Sequence, residues 1–359
     1  MSQPRGQVGR YRGVSEAQTC YTLTMALRIA INGFGRIGRP SFKIALEKPE
    51  LEVVAINDLT APNTLAHLLK YDTVYGRYAK EVSADESALM VDGRRFPVYA
   101  EKDPSKLPWK DLGVDVVLEC TGFFTTKEKA AAHLTAGAKR VVISAPSDSP
   151  DVETILLGVN EDRLQSQDII ANGSCTTNAV TPVLAILDEA FGVEKAMMTT
   201  VHAITSTQNL VDGPNKDLRR ARAASWNIVP TTTGAAEATI RALPEMEGRF
   251  TGISIRVPVP TVSVADFAIV TKQPATVEAV NDAYTAAAQA ERYAGIVAVT
   301  DEPLVSSDFI GDPHSAIVDL QLTQVVGGNL VKVVAWYDNE WGYANRLVEQ
   351  AIAVGKTVG

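Results

Sequence analysis

From Leu27 onward, short uninterrupted apolar runs alternate with amphipathic stretches, in the order LRIAING, GRPSFKIALEKPE, LEVVAIND. That order predicts strand, helix, strand, the size of one βαβ unit. More apolar runs follow in VDVVLECTG, KRVVISAP, TILLGVN and DIIANGSC. Most lack polar alternation, as parallel strands covered on both faces do, so the first half is predicted to be a doubly wound α/β sheet.

After about Val193 the texture changes. KAMMTTVHAITS, RFTGISIRVPVPTVSVADFAIVTK and LVKVVAWYDNEWGY are longer, alternate, and have few helical breaks between them. They predict a second domain with a largely antiparallel sheet. Between Ser206 and Asn227 the charged stretch VDGPNKDLRRARAAS has no clear period and reads as a long loop, functional or interfacial. The final YANRLVEQAIAVGKTV is amphipathic and helical.

Composition narrows the class. The 359 residues are 46% hydrophobic and 21% charged, enough for two cored domains of a soluble protein. A net charge of -8 argues against a general nucleic-acid binder, which needs clustered surplus Lys and Arg. Cys20, Cys120 and Cys175 are too scattered for a disulfide framework or a metal site, which favours a reducing cytoplasm. No apolar run is long enough to span a membrane. Residues 1–24 are polar, lack a signal-peptide core, and read as a disordered tail or an upstream start before the first strand.

GFGRIG, Gly33 to Gly38, matches GxGxxG between a predicted strand and a predicted helix, and the next strand ends in Asp58. In that context Gly33 permits the turn, Gly35 lets backbone approach a pyrophosphate, and Gly38 lets helix and sheet pack closely. Asp58 would accept hydrogen bonds from adenosine ribose hydroxyls and repel a 2'-phosphate. A tight turn followed by an exposed acid is the competing reading.

Cys175 follows the apolar run DIIANGS and opens the helical pattern TTNAVTPVLAILDEAF, with Ser174 as N-cap. A thiol in a helix's first turn faces free N–H groups and the positive end of the dipole, both favouring thiolate. His202 lies in the next predicted strand and could return beside that helix start, the pairing that activates a thiol. A small buried cysteine and an ordinary strand histidine fit the same residues, and the residues alone leave both readings open. Arg219, Arg220 and Arg222 form a charge run of the usual solvated kind. Arg256 interrupts an apolar strand and must find a partner or an anion. TTTGAA, Thr231 to Ala236, has the makings of a phosphate nest or simply of a helix cap.

Taken together, INGFGRIGR, SCTTN, TTVHA, DLRRARAA, TTTGAA and WYDNEWGY closely resemble phosphorylating glyceraldehyde-3-phosphate dehydrogenases of the bacterial and eukaryotic type. The match runs in order from about Met25 to the C-terminus. The resemblance implies an NAD-binding Rossmann domain over 25–174 and 338–359, a catalytic domain over 175–337, and a homotetramer. It implies that Cys175 attacks the aldehyde, that His202 acts as its base, and that inorganic phosphate cleaves the resulting thioester. Thr205, Arg220 and Arg256 are similar to residues that hold the substrate phosphate; Ser174, Thr176, Thr233 and Gly234 to those that hold the attacking phosphate. Arg36, Ile37, Asp58, Lys102, Ser144 and Asn339 match cofactor-contacting positions, and no metal is implied.

Three positions depart from the family's habit: Ala179 where a second cysteine is frequent, Gly173 where alanine is frequent, and the bulky Trp226 at the end of the long loop. Pro214 stands where NADP-using relatives have serine, which with Asp58 points to NAD. The nearest rival is the sister family of erythrose-4-phosphate dehydrogenases, which lacks an intact TTTGAA segment. Two further rivals are a non-catalytic binding role and a non-phosphorylating aldehyde dehydrogenase.

Overall fold

The structure is a computed structural model that describes residues 26–358, so the expectation for residues 1–24 lies outside it. Strands β1 (Leu27–Asn32) and β2 (Leu51–Asn57) are joined through helix α1 (Gly38–Ala45) and pair in parallel, as the apolar runs predict. Helix α2 (Pro62–Lys70) leads to a small hairpin, β3 (Tyr71–Asp72) with β4 (Gly76–Arg77). Three strands that the sequence pattern does not single out follow: β5 (Val82–Ala84), β6 (Ala88–Val91) and β7 (Arg94–Tyr99). Then come β8 (Val116–Glu119), α3 (Lys127–Thr135), β9 (Arg140–Ile143) and β10 (Ile169–Ala171). The sheet order is β10-β9-β8-β1-β2-β7-β6-β5, parallel from β10 to β7 and antiparallel at the β6–β5 edge.

TILLGVN is not a strand of this sheet; it touches the sheet by one bridge, Thr154 to Ala171. Its Ile155 and Leu156 are buried, yet Asn160 closes the segment on itself, accepting from Leu156 N at 2.8 Å and donating to Thr154 O at 2.9 Å. A side-chain amide thus satisfies backbone groups that a ladder would otherwise take.

Helix α4 (Cys175–Phe191) is apolar nearly all round and is buried in the core of the second domain. Around it stand β11 (Val193–His202), β12 (Val229–Thr231), helix α5 (Ala235–Ala242), β13 (Phe250–Arg256) and β14 (Ser263–Thr271). Helix α6 (Val277–Gln289), β15 (Val297–Thr300), β16 (Ala316–Asp319), β17 (Gln324–Val326) and β18 (Leu330–Tyr337) complete this unit. The long apolar stretch after Arg249 is therefore two strands, broken where Pro258 and Pro260 remove ladder donors. Most pairs are antiparallel, as expected, but β11 with β13 and β15 with β16 are parallel. The last helix, α7 (Trp341–Gly355), returns to the first sheet, where Leu347, Val348 and Ala351 join its core.

Candidate active site

The turn after β1 is built from glycines with distinct duties. Gly33 has φ +92°, and a Cβ there would lie 2.7 Å from Thr121 N at the end of β8. A Cβ on Gly38 would lie 2.0 Å from Gly33 O, so this glycine packs the helix against its own turn. At Gly35 a Cβ would meet nothing within 4 Å: the turn is open on that side. No side chain caps α1, whose N-terminus faces the same opening. Gly33, Gly35, Asp58, Lys102, Thr121 and Phe123 line a cleft of about 410 Å³ at the carboxyl ends of the parallel strands. A helix start without a side-chain cap, an unobstructed glycine and a cleft at the strand ends fit a dinucleotide phosphate.

Asp58 accepts from Phe34 N at 2.8 Å and Thr60 N at 2.9 Å, which fixes its carboxylate at the cleft. Ile37 is the residue preceding α1. The Arg36 guanidinium is engaged by Asp72 at 2.5 Å and by Glu340 just before α7, so it ties the turn to the C-terminal helix. Ser144 sits at the end of β9, its N–H on Glu119 O at 2.9 Å. Asn339 accepts from Ser263 Oγ at 2.9 Å, which in turn accepts from Ala203 N at 3.1 Å beside His202.

Cys175 opens α4. Ser174 caps the helix, accepting from Thr177 N at 3.0 Å, while Thr177 Oγ1 accepts from Ser174 N at 3.1 Å. That reciprocal box fixes the first turn. Gly173 has φ +61°, a left-handed conformation in which glycine relieves the strain alanine would bear. Ala179 lies wholly in the core.

His202 ends β11, and the parallel register sets it opposite Arg256 at the end of β13. Its Nε2 lies 3.5 Å from Cys175 Sγ, and its Nδ1 lies 2.7 Å from Ala203 O. Arg256 Nη1 also lies 3.2 Å from Nδ1, but the much shorter contact is to a carbonyl, which only accepts; that puts the proton on Nδ1, and Nε2 offers its lone pair to the thiol. Burial, reinforced by the positive charge of Arg256, lowers the His202 pKa to about 3. Burial likewise pushes the Cys175 thiol up, with Arg256 pulling the other way. Desolvation thus opposes the thiolate expected from the helix end, and it keeps the imidazole neutral.

Arg256 Nη1 reaches Ala203 O at 3.3 Å and Thr205 Oγ1 at 3.2 Å, while its buried Nε has no partner. Thr205 and Arg256 are therefore brought together beside the thiol. Arg220 is tied to Thr231 Oγ1 at 2.9 Å and Thr232 O at 3.1 Å, close enough for its charge to act on His202. Thr233 Oγ1 accepts from Ala235 N at 3.1 Å, and Gly234, before α5, is exposed and open. Thr181 and Thr239 hydroxyls, 3.0 Å apart, hold α5 beside α4. Trp226 is 87% exposed.

Two residues escape the sequence pattern. Tyr337 OH bridges Thr176 Oγ1 at 2.9 Å and Thr200 Oγ1 at 2.7 Å, locking the first turn of α4 to β11. Thr176 is thereby occupied within the fold. Asn172, just before the helix, is buried with both ends of its amide unpartnered. The run WYDNEWGY contains Tyr337, but nothing in its spacing points 137 residues back to Thr200.

A dinucleotide-type turn at the carboxyl end of a parallel sheet, joined to a second domain bearing a paired thiol and imidazole, defines an NAD-dependent dehydrogenase. The family models agree: glyceraldehyde 3-phosphate dehydrogenase, NAD binding domain, matches residues 27–127, and its C-terminal domain matches 174–339. The chain belongs to the glyceraldehyde-3-phosphate dehydrogenase family. It is 52% identical over 329 residues to glyceraldehyde-3-phosphate dehydrogenase of Geobacillus stearothermophilus, covering 91% of this chain and 98% of that one. It is 50% identical to glyceraldehyde-3-phosphate dehydrogenase 1 of Bacillus subtilis (92% and 99% covered), and 51% to that of Mycobacterium avium (93% and 100%).

Proposed function

We propose that the chain oxidises glyceraldehyde 3-phosphate with NAD and inorganic phosphate to 1,3-bisphosphoglycerate. The observation that carries this is the lone pair of His202 Nε2 facing Cys175 Sγ at 3.5 Å, beside an arginine with an unpartnered donor. Cys175 Sγ attacks the aldehyde carbon while its proton passes to His202 Nε2 and on to the new alkoxide, giving a thiohemiacetal. NAD, held by the Gly33–Gly38 turn and Asp58, supplies the hydride acceptor. His202 takes the hydroxyl proton as the carbon is oxidised to a thioester. A phosphate oxygen then attacks that carbon, the C–S bond breaks, and Cys175 recovers its proton.

The substrate phosphate fits Arg256 and Thr205, with Arg220 nearby; Thr233 and Gly234 fit the attacking phosphate. An anion on Arg256 also offsets the charge that depresses His202, so bound substrate raises the proton affinity of the base. Arg256→Leu is expected to raise KM for glyceraldehyde 3-phosphate by about 10–100-fold, with NAD KM near wild type. Thr233→Ala is expected to raise the phosphate requirement instead. Parallel assays with glyceraldehyde 3-phosphate and erythrose 4-phosphate, with and without phosphate, test the assignment. Phosphate-independent turnover, or higher kcat/KM with the four-carbon sugar, overturns it.

NAD is expected over NADP, since the Asp58 carboxylate repels a 2'-phosphate. Asp58→Ala is expected to shrink the NAD-over-NADP ratio of kcat/KM by about tenfold or more. An unchanged ratio removes Asp58 from that role.

A homotetramer is supported by the uncovered face of the second sheet, where Met197 is 67%, Ile253 50% and Val326 62% exposed. The exposed Leu210, Val211, Leu218 and Trp226 of the long loop offer a second contact surface. Free Cys120 and Cys175 support a reducing compartment such as the cytoplasm. Among the described residues no helix is long and apolar enough to cross a membrane.

A further inference from the structure

Beneath the dinucleotide cleft lies a buried polar chain that the chemistry above does not use. Glu119, His133, Asn32 and Asn57 are each at most 4% exposed, and Trp109 is fully buried. Trp109 Nε1 lies 3.0 Å from His133 Nδ1, and His133 Nε2 lies 3.0 Å from Glu119 Oε2. An indole N–H can only donate, so Nδ1 must accept and Nε2 must carry the proton. The histidine is therefore neutral, and Glu119 must accept at Oε2.

Two further contacts, from Asn32 Nδ2 and Thr121 N, also require an acceptor. Oε2 takes Asn32 Nδ2; Oε1 takes Thr121 N at 2.8 Å and the Thr121 hydroxyl. One buried carboxyl group thus collects four partners. From it the order spreads to the cleft floor. Asn32 Oδ1 receives Asn57 Nδ2 at 2.7 Å, and Asn57 grips Glu101 through both N–H and C=O at 2.9 Å. Thr121 Oγ1 receives Phe123 N at 3.0 Å. Asn32, Asn57, Glu101, Thr121 and Phe123 all line the cleft.

We propose that Glu119 is a positioning residue for the dinucleotide, its acceptor role at Oε2 enforced through His133 by Trp109, and that it sets cofactor affinity without touching the cofactor. The inference rests on the reading of this cleft as the NAD site. A carboxamide at position 119 sets an NH2 against either the Thr121 N–H or the His133 and Asn32 donors. His133 cannot switch tautomer to relieve this while Trp109 donates to Nδ1. Removing the indole N–H frees the switch, which relieves the His133 clash and leaves Asn32 Nδ2 as the one opposed donor on that side.

Glu119→Gln is expected to raise the NAD KM and the directly titrated NAD dissociation constant about tenfold, with kcat at saturating NAD within about twofold of wild type. In a Trp109→Phe background the same substitution is expected to cost about threefold or less, a coupling that simple loss of packing does not produce. Unchanged NAD affinity in Glu119→Gln, a fall in kcat matching the rise in KM, or greater loss in the double variant each overturns the proposal. If Glu119→Gln does not fold, Thr121→Val against Thr121→Ser decides: affinity lost in the first and kept in the second supports it, and any other pattern overturns it. Asp58→Ala separates the two levels. If it weakens NAD binding while Glu119→Gln does not, the cleft reading stands and the positioning role falls; if it too leaves NAD binding intact, the cleft reading itself fails.

Discussion

Cys175→Ser is expected to lower turnover by about 10³-fold or more while leaving the NAD dissociation constant within about twofold of wild type. Sulfur attacks carbonyl carbon readily and leaves readily when phosphate displaces it; a serine hydroxyl is the weaker nucleophile, and its ester the poorer acyl donor. The cofactor cleft is lined by the ends of the first sheet and the turn after β1, not by α4, so its affinity is insulated from the change. Cys120, the other free thiol among the described residues, is half-buried with its pKa raised by desolvation and lies at the end of β8, away from His202, so it cannot substitute. Steady-state rates with fluorescence titration of NAD measure both quantities. Substantial residual dehydrogenase activity would sink the assignment.

His202→Asn is expected to slow turnover by about 10²–10⁴-fold and to change its pH dependence. With His202 near pKa 3, the wild-type imidazole is neutral and available as a base at every working pH. The desolvated thiol has a raised pKa, so without that base only the small ionised fraction reacts. The variant's rate therefore climbs about tenfold per pH unit below the thiol pKa, where the wild type is flatter. Stability shifts as well. The folded histidine binds its proton near pH 3 and the unfolded one near 6.5, so its contribution is complete above 6.5 and lost as pH falls toward 3. His202→Asn should lose less thermal stability over that window. Superimposable pH–rate profiles would count against the pair.

Local chemistry is legible in the chain without any fold. The GxGxxG turn between two strands, Ser174 as a cap, and the single thiol at a helix start all follow from neighbours a few residues apart, because turns and caps are made by adjacent backbone groups. Where the competing structure is also local but less regular, the pattern misleads: TILLGVN has the apolar content of a strand, yet Asn160 supplies its backbone partners. Strands β5 to β7 escape it because β5 and β6 are only three and four residues long and β7 is mostly exposed or half-exposed, which leaves little apolar pattern.

What sequence alone determined was the set of chemical groups and the class of the two sheets; the resemblance of its motifs assigned their roles. What only the tertiary structure decided was protonation state and reach. Alternation along the second half predicts antiparallel neighbours, but β11 and β13 run parallel, and that register is why Arg256 ends beside His202 with its charge on the imidazole. A helix N-terminus favours thiolate, but Cys175 is half-buried against the packed core, and that desolvation pushes its pKa up. The Arg36 side chain acts as a clamp because Glu340, 304 residues away, is folded back against it. Desolvation and long-range partners are set by which surfaces meet, and no spacing along the chain encodes that.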